Sequence, residues 1–263
     1  MQIGIGDLII SFSFGKGQIP EPYHNFLLNN DRPDLVLELH RGKIPNFPLG
    51  EKIFDSNALW SCYKSHSRYI FKDRPLTVDS PTLVISIEPD FNSGDIYTKR
   101  ADLFPFKYPL GEIIIINLLF RNNGILAHAC GIDARGKGFL FLGNSSSGKS
   151  TLARLWNNKG KTTVLNDDRI IIRKINGCFW IYGTPWPGIG GFSSPRKVIL
   201  EKIYILEQAQ ENFLLPLKGA EAVEAILSRS IIPLWDASGM GITLKFCDEL
   251  IKRVPCSRLG FLP

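Results

Sequence analysis

The residues whose types and spacing could do chemistry begin with Gly143-Asn144-Ser145-Ser146-Ser147-Gly148-Lys149-Ser150. This is a full match to G-x-x-x-x-G-K-[ST]. Glycines let a backbone wrap an anion with its N–H groups turned inward. A helix starting near Lys149 would add the positive end of its dipole. Lys149 could then reach the β- and γ-phosphates of a nucleotide, and the Ser150 hydroxyl could ligate Mg²⁺. Thr151, the next residue, completes the candidate phosphate-binding set. The bland alternative is a Ser/Gly turn ahead of an amphipathic helix. A second group is Val164-Leu165-Asn166-Asp167-Asp168-Arg169, with Asp167 18 residues beyond Lys149. An acid pair ending an apolar strand after such a loop suits metal binding. Adjacent carboxylates on an extended chain point in opposite directions. One can bind Mg²⁺, directly or through water, and the other can take a proton from an attacking hydroxyl. A solvated Asp-Asp turn is the alternative. His128 stands in Leu126-Ala127-His128-Ala129-Cys130, either at the site or as a satisfied core histidine. His24, His40 and His66 have no such context.

Positioning these groups needs strands and a helix. Gly138–Leu142 reads as a strand into the loop, and Lys149–Asn158 as the helix out of it, ending at Gly160. Ile125–Ile132 is the preceding strand, turned at Asp133-Ala134-Arg135-Gly136. Thr162–Asn166 and Ile170–Ile175 flank the acid pair. Gly183–Gly191 is a Gly/Pro loop, and Ile199–Leu206 another strand. The length of Leu110–Phe120 and the preceding Pro109 favour a buried helix, although its four isoleucines also suit a strand. Met240, Leu244, Cys247, Ile251 and Val254 recur on one face of a helix. Pro255 stops it, and Cys256–Leu262 can run as a final strand. Residues 1–108 show strand candidates at Asp7–Phe14, Asp34–His40 and Thr82–Ile87. Turn signals such as Asn92-Ser93-Gly94 separate them. The expected organisation is a β-rich N-terminal lobe, 1–108, and an α/β domain around the phosphate-binding loop, 109–263.

Composition narrows the functions. The chain has 263 residues, is 44% hydrophobic and 21% charged, and carries a net charge of +6. That suits a soluble globular protein and excludes a disordered or collagenous one. No dense Lys/Arg run points to nucleic acid. The most apolar stretch, Ile113–Phe120, is far short of the ~20 residues a membrane helix needs. Met1–Phe14 lacks a basic leader, so no signal peptide is expected. Five scattered cysteines without a CxxC predict free thiols in a reducing cytoplasm and no zinc site. The element Asn-Lys-x-Asp usual for guanine specificity is absent, so ATP is the expected nucleotide.

In this order the elements resemble the catalytic domain of HPr kinase/phosphorylase. The match is best to the HPr-kinase-like group outside the sugar phosphotransferase system. The residues that carry it are Gly124–Ala129, the loop Gly143–Ser150 and Leu165–Arg169. Tyr182–Gly188, Pro233–Asp236 and Val254-Pro255-Cys256 match the broader group. The resemblance spans about Tyr108 to Pro263 and implies an α/β P-loop kinase core of the HPr kinase type as a catalytic domain, 109–263, behind the β-rich N-terminal lobe. It implies ATP- and Mg²⁺-dependent phosphorylation of a serine-type hydroxyl on a protein or peptide. It also implies Asp167 as general base, Asp168 as metal or charge partner, and His128 near the transferred phosphate. The Gly183–Gly191 loop would approach the nucleotide or acceptor. Thr151 stands where that family usually has an acidic residue, and Ser146 where a glycine is common. Its HPr-engaging segment is not recognisable. These departures count against HPr itself as acceptor and against the reverse phosphorylase activity. Two other readings are a phosphoenolpyruvate-carboxykinase-like enzyme and an ATP-sensing module without transfer. Homo-oligomerisation stays open.

Overall fold

The computed structural model describes residues 1–13, 19–29, 31–56, 59–65, 67–74, 80–100, 104, 106, 108–157 and 159–261. His66 lies outside the described residues, as do Phe14, Asn158 and Leu262 at the ends of expected elements. The chain is mixed α/β, with two large sheets and few helices. It forms two compact units, Met1–Ile114 and Ile115–Pro263.

The first unit is built on nine strands. They are β1 (Gln2–Ile5), β2 (Leu8–Ser13), β3 (Leu27–Leu28), β4 (Leu35–Arg41), β5 (Glu51–Asp55), β6 (Trp60–Lys64), β7 (Tyr69–Asp73), β8 (Leu83–Ile87) and β9 (Ser93–Thr98). The order across the sheet is β3-β1-β2-β4-β9-β8-β7-β6-β5. Period-two burial in β2 and β9 turns one face inward, where Phe12, Phe71, Ile85 and Ile96 pack. The Asn92-Ser93-Gly94 turn is a correction: Ser93 and Gly94 open β9. Gly94 is there because a Cβ would stand 2.6 Å from the Ser86 carbonyl of the next strand.

The division between units falls within α1 (Leu110–Arg121), a buried helix. The second unit then runs β10 (Gly124–Ala134), β11 (Lys137–Leu142), α2 (Lys149–Asn157), β12 (Thr162–Asn166), β13 (Arg169–Ile175), β14 (Cys178–Tyr182) and β15 (Lys197–Gln208). It ends with β16 (Phe213–Leu217), α3 (Gly219–Leu227), β17 (Ser230–Ile231), α4 (Ala237–Arg253) and β18 (Cys256–Phe261). β10 is the organiser. Its first half, Gly124–His128, pairs with β13, and its second half, Ala129–Ala134, pairs with β11. β12 lies on the other edge of that second half. β13 pairs β14, β14 pairs β15, and β15 pairs β11, so the pairings close a ring of five strands.

The helix α4 shows where periodicity misleads. Gly239, Thr243, Phe246, Cys247 and Leu250 are buried, whereas Leu244 of the expected stripe is 45% exposed. A Cβ at Gly239 would sit 3.0 Å from Pro233 and 3.1 Å from the Phe120 ring. The contact face therefore runs through Gly239, Thr243, Phe246, Cys247 and Leu250, shifted from the expected stripe. No described helix is long and apolar enough to cross a membrane.

Candidate functional site

Topology brings the chemistry-bearing residues together. β11 and β12 both run antiparallel to β10, on its two edges, so their C-terminal ends emerge at the same level. Leu142 pairs with Ala129 and Asn166 with Gly131. The glycine-rich loop leaves β11 there, and the acid pair leaves β12 there. His128 is the residue at which β10 exchanges its β13 partner for β11. Loop, acids and histidine thus meet without a long excursion of the chain. They line one cavity of about 590 Å³, with Arg154 of α2 and Pro187–Ile189.

In the loop, Ser146 and Gly148 take positive φ values of 66° and 92°. A side chain at Gly148 would meet the Phe261 ring at 2.7 Å, and Gln208 Nε2 donates to the Ser146 carbonyl at 2.9 Å. The ends of β15 and β18 therefore brace the loop. Lys149, only 7% exposed, donates to the carbonyls of Gly143 at 2.8 Å and Asn144 at 2.9 Å. Burial pushes its ammonium below the ordinary lysine range. Among the described residues the buried Ser147 hydroxyl has no hydrogen-bond partner. Asn144, Ser145 and Thr151 are exposed around the loop.

The acid pair diverges through a bend after Asn166, not along an extended strand. Asn166 is fully buried and makes that bend: its Oδ1 accepts from the N–H groups of Asp168 at 2.7 Å and Arg169 at 2.8 Å. Its Nδ2 donates to the Thr184 carbonyl at 2.9 Å, tying in the Gly/Pro loop. Asp167 is 1% exposed. Its Oδ2 accepts from Ser150 Oγ at 2.8 Å and from the Gly190 N–H at 2.8 Å, and Oδ1 from the Gly188 N–H at 3.0 Å. Asp168 is the open member, its side chain 29% exposed. Its Oδ1 meets His128 Nε2 at 2.8 Å and its Oδ2 accepts from Arg169 at 2.5 Å. Burial alone would raise the Asp168 carboxyl, but the His128 hydrogen bond, Arg169 and Lys149 outweigh it and hold it below the usual carboxylate range.

Sequence reasoning gave no individual role to four contributors. Asn166 stood unremarked beside the acids, although an Asn before a bend commonly caps the following N–H groups. Gly188 and Gly190 hold Asp167, and a Cβ at either would fall 2.9 or 2.6 Å from its Oδ2. Their spacing in a Gly/Pro loop was the available signal. Arg154 had none, because an arginine on an amphipathic helix is ordinary.

The arrangement suits a triphosphate and a divalent cation. A glycine-rich turn and a lysine that donates to two carbonyls lie on one wall. A hydroxyl paired with a carboxylate lies beside them. The sequence matches no protein-family model and no curated protein. Among solved structures, the Hpr(Ser) kinase/phosphatase from Coxiella burnetii is similar at 13% identity and a TM-score of 0.31. The match covers 52% of this chain and 85% of that one.

Proposed function

We propose that this protein is an ATP- and Mg²⁺-dependent phosphotransferase acting on a serine-type hydroxyl of a protein or peptide. The observation that carries the reading is the Ser150–Asp167 hydrogen bond, which couples the start of the helix after the glycine-rich loop to the acid pair. Loop residues Gly143 to Thr151 would hold the phosphates, and Ser150 with Asp167 would hold the cation. The cation would neutralise charge developing on the transferred group.

The two acids take roles opposite to those the family resemblance implied. Both acids have a partner on each oxygen, but Asp167, with three donors, is nearly sealed from water. That favours a fixed acid beside the cation over one that collects a proton. Asp168 opens to the cavity, and its lowered pKa keeps it ionised at neutral pH. It is suited to accept a hydrogen bond from the acceptor hydroxyl and then its proton. His128 and Arg169 orient its carboxylate.

Incubation with γ-labelled ATP, Mg²⁺ and serine peptides tests this. Asp168→Asn is expected to bind nucleotide normally and lose transfer by roughly 10²–10⁴-fold. Asp167→Asn is expected to weaken Mg²⁺-dependent nucleotide binding instead. The reverse pattern restores the roles implied by resemblance. Failure of the unmodified protein to bind Mg·ATP refutes the function itself.

A further inference from the structure

Three cavity residues, Arg154, Pro187 and Ile189, have no part once the nucleotide and the acid pair are assigned, and the first and last carry distinct chemistry. Arg154 follows Ser150 by four residues on α2, so both face the same side, roughly 6 Å apart along the helix axis. Arg154 is exposed and lines the cavity, and among the described residues it has no hydrogen-bond or ion-pair partner. Ile189 comes from a different element and is 93% exposed. One exposed isoleucine is ordinary. This one stands between Gly188 and Gly190, whose N–H groups are both held by Asp167. An exposed apolar side chain on an anchored loop thus lines the same cavity as Arg154.

The charge of a triphosphate is already matched by Lys149, the loop N–H groups, the helix end and a cation at Ser150 and Asp167. Adenosine itself is uncharged and offers a guanidinium no anion. The unmatched positive charge therefore suits the second substrate. We propose that Arg154 and Ile189 recognise the acceptor. They would select a hydroxyl carried on a peptide segment with a carboxylate and an apolar side chain close by. This rests on the phosphotransfer reading above and names the substrate class for that same cavity.

The test uses the full chain with Mg²⁺ and a non-hydrolysable ATP analogue. Fluorescent peptides carry serine beside glutamate and leucine, lysine and leucine, or glutamate and glycine, and binding is read by anisotropy. The glutamate–leucine peptide is expected to bind about tenfold tighter than its lysine counterpart, the scale of one charge-assisted contact. Arg154→Ala should abolish that preference and Arg154→Glu should invert it. Ile189→Ser should weaken the leucine peptide and leave the glycine peptide unchanged. Calorimetry should show the same affinity for the analogue in all variants. A charge preference absent from the unmodified protein, or intact in Arg154→Ala, overturns the proposal. So does a loss of nucleotide affinity in Arg154→Ala, which makes Arg154 a nucleotide contact. If the unmodified protein does not bind the analogue, the phosphotransfer reading fails, and this proposal with it.

Discussion

Replacing Gly190 with alanine tests whether the Gly/Pro loop is what fixes Asp167. The new Cβ would lie 2.6 Å from Asp167 Oδ2, and ordinary contact begins near 3.4 Å, so one of the two must retreat by about 0.8 Å. The carboxylate is held from outside the loop by Ser150, so the loop has to yield. The Gly190 N–H bond, now 2.8 Å, then stretches past hydrogen-bonding range. Losing a hydrogen bond to a charged group costs about 1.5–3 kcal/mol, and overpacking costs on the order of 1–3 kcal/mol more. Partial relaxation makes these overlap, so about 3 kcal/mol is expected. For a unit of this size that lowers the melting temperature by roughly 6–12 °C. Gly191 supplies the control. It has φ of +74°, and a Cβ there would have no neighbour within 4 Å, so Gly191→Ala meets only backbone strain of about 1 kcal/mol. Calorimetric melts of both variants, with Mg²⁺-dependent nucleotide binding, read the difference. Equal melting temperatures for the two, or unchanged Mg²⁺ dependence in Gly190→Ala, would refute the reasoning.

Lys149→Ala should weaken ATP binding by about tenfold or more, because it removes a buried cation worth about 1.5–3 kcal/mol in charge-assisted bonds; unchanged affinity by calorimetry defeats the loop assignment. The folded-state pKa of Asp168 is lowered, so its stabilisation is present above the unfolded carboxylate value of about 3.9 and is lost as pH falls through the folded value. Acid melts should therefore show less loss of stability below about pH 4 in Asp168→Asn than in the unmodified protein. Burial raises the thiols of Cys62, Cys130, Cys247 and Cys256, to about 12 for Cys247 and about 11 for Cys256, while Cys178 is exposed. A thiol reagent should modify one of the five cysteines in the native state and all five after denaturation.

The sequence carried the local parts of the site well and the connections between them poorly. The loop, the helix behind it and the strands on either side of Asp167 and Asp168 announce themselves through glycine spacing and β-branched runs. The partner of each acid does not. Ser150 and Asp167 meet because β11 and β12 flank one half of β10, and pairing across such distances leaves no local trace. The same holds for His128, whose place follows from where β10 changes neighbours. In the first unit the strands β5, β6 and β7 mix charged and apolar residues, and their alternation is too short to stand out. The α3 helix escaped notice because it is a short run of small residues after Gly219.

The brace beneath the loop has a consequence for how the protein is made. Gly148 is shaped against Phe261, which follows it by 113 residues. On a growing chain the loop sequence emerges long before the ring that supports it. Until β18 has been translated and has docked beside β15, the phosphate cradle lacks its floor. Nascent chains stalled short of β18 would contain the whole loop and still lack its brace, which arrives with the pairing of a strand far from the loop in sequence.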